Sequence, residues 1–211
     1  MGQHISKSGS KSGVKRYKGG GLNPSDILGT RDMIVERGNQ EKEVDEVLTV
    51  SRDMLDQYPE ASLQQLLLAQ LKQSSQALSY YDGSNVAINE AYFNPAMESA
   101  YQECVKLGFH PGSGSFTGLQ AVAAHEFGHA INDAAARKLG LSLDQAATQI
   151  VTEARKGTKH RGVVQMAAAI STYATASNAE TVAEAVCDVY CNGSKAKAES
   201  QAIVKTLRKY L

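Results

Sequence analysis

Two histidines four residues apart, in the run His125-Glu126-Phe127-Gly128-His129, constrain this chain more than any other feature. On an α-helix, residues at that spacing share one face about one turn apart, with roughly 5–6 Å between them. Two imidazoles so placed can pinch one Zn²⁺ at roughly 2.0–2.1 Å each. Glu126 follows His125 directly, so its carboxylate reaches a water held by the ion without being a ligand itself. The pairing suits hydrolysis: the ion makes water acidic, and the carboxylate takes the proton as that water attacks a carbonyl. The competing reading is a helix with two satisfied surface histidines, and the flanks argue against it. Phe116, Leu119, Val122, Ala123, Phe127, Ala130 and Ile131 give the segment a broad apolar surface, which predicts a buried helix. Ser113 and Ser115 are candidate N-caps. Gly118, Ala121 and Gly128 lie beside the histidine face and are expected to leave room for a metal and a substrate.

A catalytic zinc usually takes three protein ligands and keeps one open position. Asp133 lies on the same helical face, but His125 and Asp133 are eight residues apart, about 12 Å of helix, too far to share an ion easily. The better candidate is Glu180, in the segment Asn178-Ala-Glu-Thr-Val-Ala-Glu-Ala-Val-Cys-Asp-Val-Tyr190. Asn178 or Ser177 can cap a helix there, with Glu180 and Glu184 projecting from one face, one turn apart. Val182, Val186 and Val189 cover the other side, and a helix apolar nearly all round is buried. Buried carboxylates need partners. A cation with its histidine ligands supplies them, with Glu180 on the metal and Glu184 orienting a ligand histidine; the alternative is ion pairs to lysines or arginines at a surface.

The succession of His125-Glu126-Phe127-Gly128-His129, then Tyr173 seven residues before Glu180, then Glu180-Thr-Val-Ala-Glu184-Ala, resembles the catalytic domain of anthrax lethal factor and its relatives. These are gluzincin metallopeptidases, and they include metallopeptidase-like domains encoded in bacteriophage head-protein gene clusters. The resemblance implies that His125, His129 and Glu180 bind zinc. It further implies that Glu126 is the general base, that Tyr173 supports the transition state and that Glu184 sits behind the ligands. It is strong at the two motifs, weak between them, and spans roughly residues 75–210. Family members often carry aromatic residues after the ligand glutamate, where this chain has Thr181 and Val182, so local packing is expected to differ. A phenol near a metal can also donate a hydrogen bond to an oxyanion on physical grounds alone; the plain alternative for Tyr173 is a packed aromatic.

Upstream, residues 77–81 and 86–89 read as two short strands around a Gly-containing turn. By analogy with zinc peptidases, Val86, Ala87, Ile88 and Asn89 are expected to border the cleft and pair with an extended substrate; an ordinary hairpin without substrate contact is the alternative. Residues 1–30 form a basic segment rich in Gly, Ser and Lys, with no acid before Asp26. Such a segment cannot bury enough surface to order itself. It is expected to be a flexible tail, with contact to an assembly partner such as a viral head protein as the functional reading. Residues 31–74 are expected to be helical, with one helix over 41–58 ended by Pro59 and another over 61–71. Residues 75–211 make the catalytic domain. Pro95–Leu107, Ser142–Arg155 and Ser194–Leu211 read as further helices, His110 as a loop histidine with approach to the active site as the alternative, and residues 156–162 as a mobile rim of the cleft.

With 211 residues, 42 % of them hydrophobic, the chain suits one domain plus a tail. Zero net charge gives no general argument for nucleic-acid or anionic-membrane binding. Neither a signal-peptide apolar core nor a membrane-span-length apolar run is present, so the chain is expected in the cytoplasm or associated with a virion. Three cysteines make no disulfide framework; Cys104, Cys187 and Cys191 read as small core residues. The expected fold is α+β and mostly helical, a zincin-like arrangement with a small antiparallel sheet packed on the zinc helix. The expected function is zinc-dependent hydrolysis of a polypeptide substrate. Two alternatives stand beside it: a virion or head-assembly component that keeps the fold and acts by binding, and a secreted or injected toxin protease.

Overall fold

Val44, Val47, Leu48, Met54 and Tyr58 recur at helical spacing and are all buried, which places a helix across this stretch with one face against the core. In the computed structural model that helix is α1, Glu41–Gln57. The structure describes residues 15–16, 32–35, 41–63, 65–69, 79–83, 85–89 and 95–211. Apart from Lys15 and Arg16, the basic segment 1–30 lies outside the described residues. Those two residues form β1, paired antiparallel with β2 at Asp32–Val35.

The strands continue with β3 (Gln65–Ala69), β4 (Ser79–Tyr81) and β5 (Asn85–Asn89). Their order in the sheet is β1-β2-β3-β5-β4. The sheet is mixed, not antiparallel as expected: β2, β3 and β5 run parallel, with antiparallel strands at both edges. The reason lies in β3. The leucine-rich stretch 61–71, expected as a helix, holds a strand, and a short continuous apolar run does not distinguish the two by periodicity. Strands inside a parallel sheet read as unbroken hydrophobic runs, and Leu66 is fully buried. Because β3 hydrogen-bonds to β5, the sheet runs across the division at residues 74 and 75 drawn from the sequence.

The remaining described residues are mostly helical: α2 (Pro95–Lys106), α3 (Gly118–Leu139), α4 (Leu143–Arg155), α5 (Val163–Ile170), α6 (Asn178–Asn192) and α7 (Ala198–Leu207). Helix α3 starts later than the serines suggested. Thr117 is its N-cap, in a reciprocal capping box with Gln120. Helix α3 lies at the centre, packed most extensively on α6 and also on α1, α4 and β4.

The α3–α6 approach depends on small residues. A Cβ on Gly128 would sit 2.7 Å from Ala183 Cα, and one on Gly118 would sit 2.8 Å from the Tyr101 side chain. These two glycines therefore admit a neighbouring helix and a tyrosine, not a metal and substrate as expected from the sequence. Adding a methyl at Gly128 must push the helices apart, because the atom it meets is backbone. Gly128→Ala is expected to destabilise the fold by about 2 kcal/mol, about 4–8 °C in Tm. Thermal unfolding followed by circular dichroism checks this.

The polar stretch 156–162 is held at both ends. Arg155 donates to the carbonyls of His160 and Arg161 at 3.3 and 3.2 Å, and His160 Nε2 lies 2.7 Å from Glu199 Oε1 on α7. It does not line the pocket beside the histidines. Among the described residues no helix is long and apolar enough to cross a membrane.

Candidate metal centre

His125 and His129 project from one face of α3 with their ring centroids 5.0 Å apart. The close packing at Gly128 brings α6 alongside, and the Cys187 thiol donates across the interface to the Ala121 carbonyl at 3.3 Å. Glu180 stands in the first turn of α6, where the Ser177 hydroxyl caps the helix by accepting the Glu180 N–H at 3.1 Å. A carboxylate in that position is also favoured by the helix dipole. Glu180 Oε2 lies 3.1 Å from His125 Nε2 and 3.4 Å from His129 Nε2. One ligand atom from each of these three residues falls within 4.8 Å of the others, a group that could hold a metal ion.

One further observation fits a cation. Glu180 Oε2 is buried, and it makes no well-formed hydrogen bond despite the two nearby nitrogens. Two imidazole nitrogens and a carboxylate oxygen converging on one point are a donor set that a divalent ion can take. Burial alone would raise the Glu180 carboxyl, but the His125 and His129 imidazoles outweigh it and hold it well below the usual carboxylate range.

Glu184, one turn further along α6, is 1 % exposed and binds the back of the site. Its Oε1 lies 2.8 Å from His125 Nδ1, which leaves His125 Nε2 facing Glu180. Its Oε2 accepts from the Ser171 hydroxyl at 2.7 Å, and that hydroxyl in turn accepts the Ala174 N–H at 3.0 Å. A third partner is His110, whose Nδ1 is 3.2 Å from Oε1 and 3.4 Å from Oε2. Burial would raise the Glu184 carboxyl, yet His110 and His125 bring it down to about 2. His125 shows the converse: burial would lower it, but Glu180 and Glu184 lift it well above its ordinary value of 6.5.

Tyr173 opens a short 3₁₀ turn, Tyr173–Thr175, just before α6. Thr181 ties that turn to α6 by donating to the Ala174 carbonyl at 2.6 Å. The Thr172 and Tyr173 N–H groups donate to the carbonyls of Gly108 and Phe109 at 2.9 and 3.0 Å. These bonds set the Tyr173 ring 5.7 Å from His125 and 5.3 Å from His110, centroid to centroid. Burial and the charges of Glu180, Glu126 and Glu184 push the phenol up to about 12, so at neutral pH it keeps its proton and remains a donor. Glu126 is 4 % exposed. Its Oε1 accepts from the Ser79 hydroxyl at 2.5 Å, and its Oε2 is buried with no partner among the described residues.

No protein-family model, no curated protein and no solved structure matches this chain. The chemistry of the donor set carries the reading by itself. His125, Glu126, His129, Tyr173, Glu180 and Glu184, separated by up to 59 residues, come together around one point. A pocket of about 270 Å³ adjoins them, lined by Tyr101, Phe109, His110 and Val122 among others. Asp133 is engaged elsewhere, paired with Arg137 and accepting from the Tyr81 hydroxyl at 3.0 Å.

The strand assignment needs correcting. Val86, Ala87, Ile88 and Asn89 are each no more than 2 % exposed, and β5 is paired on both sides, by β3 and by β4. It has no open edge to offer. The edge strand of the described sheet beside α3 is β4. Ser171 and Ser79 were not singled out from the sequence as functional, and His110 was read first as a loop histidine, with approach to the site as the alternative. Each lies outside the helical pattern, and its partner is 13 to 74 residues distant, so no local periodicity marks it.

Proposed function

We propose that this protein is a zinc-dependent endopeptidase of the gluzincin type, with a zincin-like sheet laid against the helix that carries both histidines. The observation that carries the reading is the convergence of His125, His129 and Glu180, with Glu126 next to the first ligand and the buried Glu180 Oε2 facing both imidazoles at 3.1 and 3.4 Å. Two imidazole nitrogens and one carboxylate oxygen are the donor set of catalytic zinc sites, which keep a fourth position open. Zinc held there would acidify a water and polarise a carbonyl.

The chain's own groups supply the rest. Glu126 takes the proton from the attacking water at its unpartnered Oε2 and passes it to the leaving amine. Tyr173 keeps its phenolic proton and donates it as a hydrogen bond to the carbonyl oxygen as charge develops there. Glu184 holds the proton on His125 Nδ1, so that Nε2 presents its lone pair. Among the described residues β4 is the outermost strand beside α3, and an extended polypeptide would add there as a further strand.

Cleavage of a peptide library by the zinc-loaded protein tests this. Wild type is expected to cleave, and Tyr173→Phe to lower kcat by about 10²-fold with KM nearly unchanged. A fully zinc-loaded wild type that cuts no peptide would sink the proposal.

A further inference from the structure

Glu126 can act as a base only if one of its oxygens is free and correctly aimed, and something must hold the other. Its neighbours on α3 do not, since the hydrogen bond it receives comes from across the sheet interface. Ser79 lies on β4, 47 residues earlier in the chain, and its hydroxyl donates to Glu126 Oε1 at 2.5 Å. An ionised carboxylate has two oxygens and only accepts. The serine therefore occupies Oε1 and leaves Oε2, which is buried without a partner among the described residues.

The strand that carries Ser79 is itself fixed. Residues 79 and 81 point to the same face of β4, and the Tyr81 hydroxyl donates to Asp133, seven residues after Glu126 on α3. Two contacts two turns apart thus clamp β4 along the helix, one on the proposed base and one well away from it. The strand is also held by the Tyr81 contact and by its pairing with β5. The Ser79 contact is short, made to a nearly buried carboxylate, and faces the pocket, which Ser79 also lines. Hydrogen bonds to charged groups are the stronger ones.

We infer that Ser79 is a positioning residue for Glu126, holding Oε1 so that the proton is taken at Oε2. This rests on the peptidase reading for its catalytic consequence, but the hydrogen bond itself does not. Two readouts separate the two. The first is the infrared carboxylate band of Glu126 in metal-free protein, isolated by ¹³C-glutamate labelling and subtraction of the Glu126→Gln spectrum. It is expected to shift in Ser79→Ala, to return in Ser79→Thr, and to stay in place in Tyr81→Phe, which loosens the strand without touching Glu126. The second is turnover by the zinc-loaded protein. Ser79→Ala is expected to lower kcat about tenfold with KM within twofold of wild type and full zinc content, and Ser79→Thr to recover most of the loss.

An unshifted band in Ser79→Ala would overturn the inference, as would an equal shift in Tyr81→Phe, which would mark a strand-docking effect. A shifted band with wild-type kcat would overturn the positioning role. If wild type cleaves nothing, the peptidase reading fails and the band still decides whether Ser79 holds Glu126. If Ser79→Ala does not fold, the decision passes to Ser79→Thr: retained band and kcat support the role, and their loss in a folded Thr variant contradicts it.

Discussion

Glu126→Gln is expected to lower kcat by about 10³-fold while leaving zinc stoichiometry at the wild-type level. The substitution keeps the side chain's size and an oxygen for the Ser79 hydroxyl to donate to, so the buried position should tolerate it. What it removes is the basic oxygen. Glu126 does not belong to the three residues that could hold the ion, so metal content and turnover should separate cleanly. Steady-state kinetics on the best library peptide, with metal analysis of the same samples, reads both. Loss of zinc along with activity would mean that Glu126 supports the metal and not the proton transfer.

The second large effect is expected at Glu184. Its carboxylate serves His125, His110 and Ser171 at once inside the fold. Glu184→Ala leaves those three groups without their acceptor in a nearly dry environment. Removing one partner of a buried ionic network costs on the order of 3–5 kcal/mol. Without an acceptor to fix the His125 ring, zinc affinity should also fall by about 10–100-fold. Urea unfolding of metal-free protein and calorimetric zinc titration measure the two losses.

The same network gives a signed pH dependence to the metal-free protein. Glu184 is depressed from its ordinary 4.5 to about 2 in the fold. Its contribution is therefore in place above 4.5 and is lost as the pH falls towards 2. His125 is raised above its ordinary 6.5, so its contribution is present below 6.5 and is lost as the pH rises through the folded value. Stability should fall away on both sides of the interval from 4.5 to 6.5, and the acid-side loss should flatten in Glu184→Ala. A stability profile rising steadily from pH 6 to 9 would contradict the charge pairing.

The residues of the candidate site were legible in the sequence because helices encode neighbours locally. His125 and His129 must share a face at a spacing of four, and so must Glu180 and Glu184. The apolar surroundings of both segments marked them as buried, and both helices are. The sheet was less legible. Leu66 to Leu68 give no alternation in sequence, and a short apolar run does not tell a strand from a helix, which hid β3 within an expected helix. Strand order depends on pairing between distant segments, which is why Val86–Asn89 was mistaken for the edge strand when β4 holds that place in the described sheet. His110 was read first as a loop histidine for a similar reason. It sits in a Gly- and Pro-containing turn, and the backbone bonds from Thr172 and Tyr173 to Gly108 and Phe109, distant in sequence, help bring it to Glu184.

Native mass spectrometry of the full chain after zinc loading, for wild type, His125→Ala, His129→Ala and Glu180→Ala, tests the central claim most directly. One zinc per wild-type chain is expected, with loss of that ion or at least a 10²-fold weaker hold on it in each variant. Wild type that takes up no zinc, or Glu180→Ala that keeps wild-type affinity, would contradict the site.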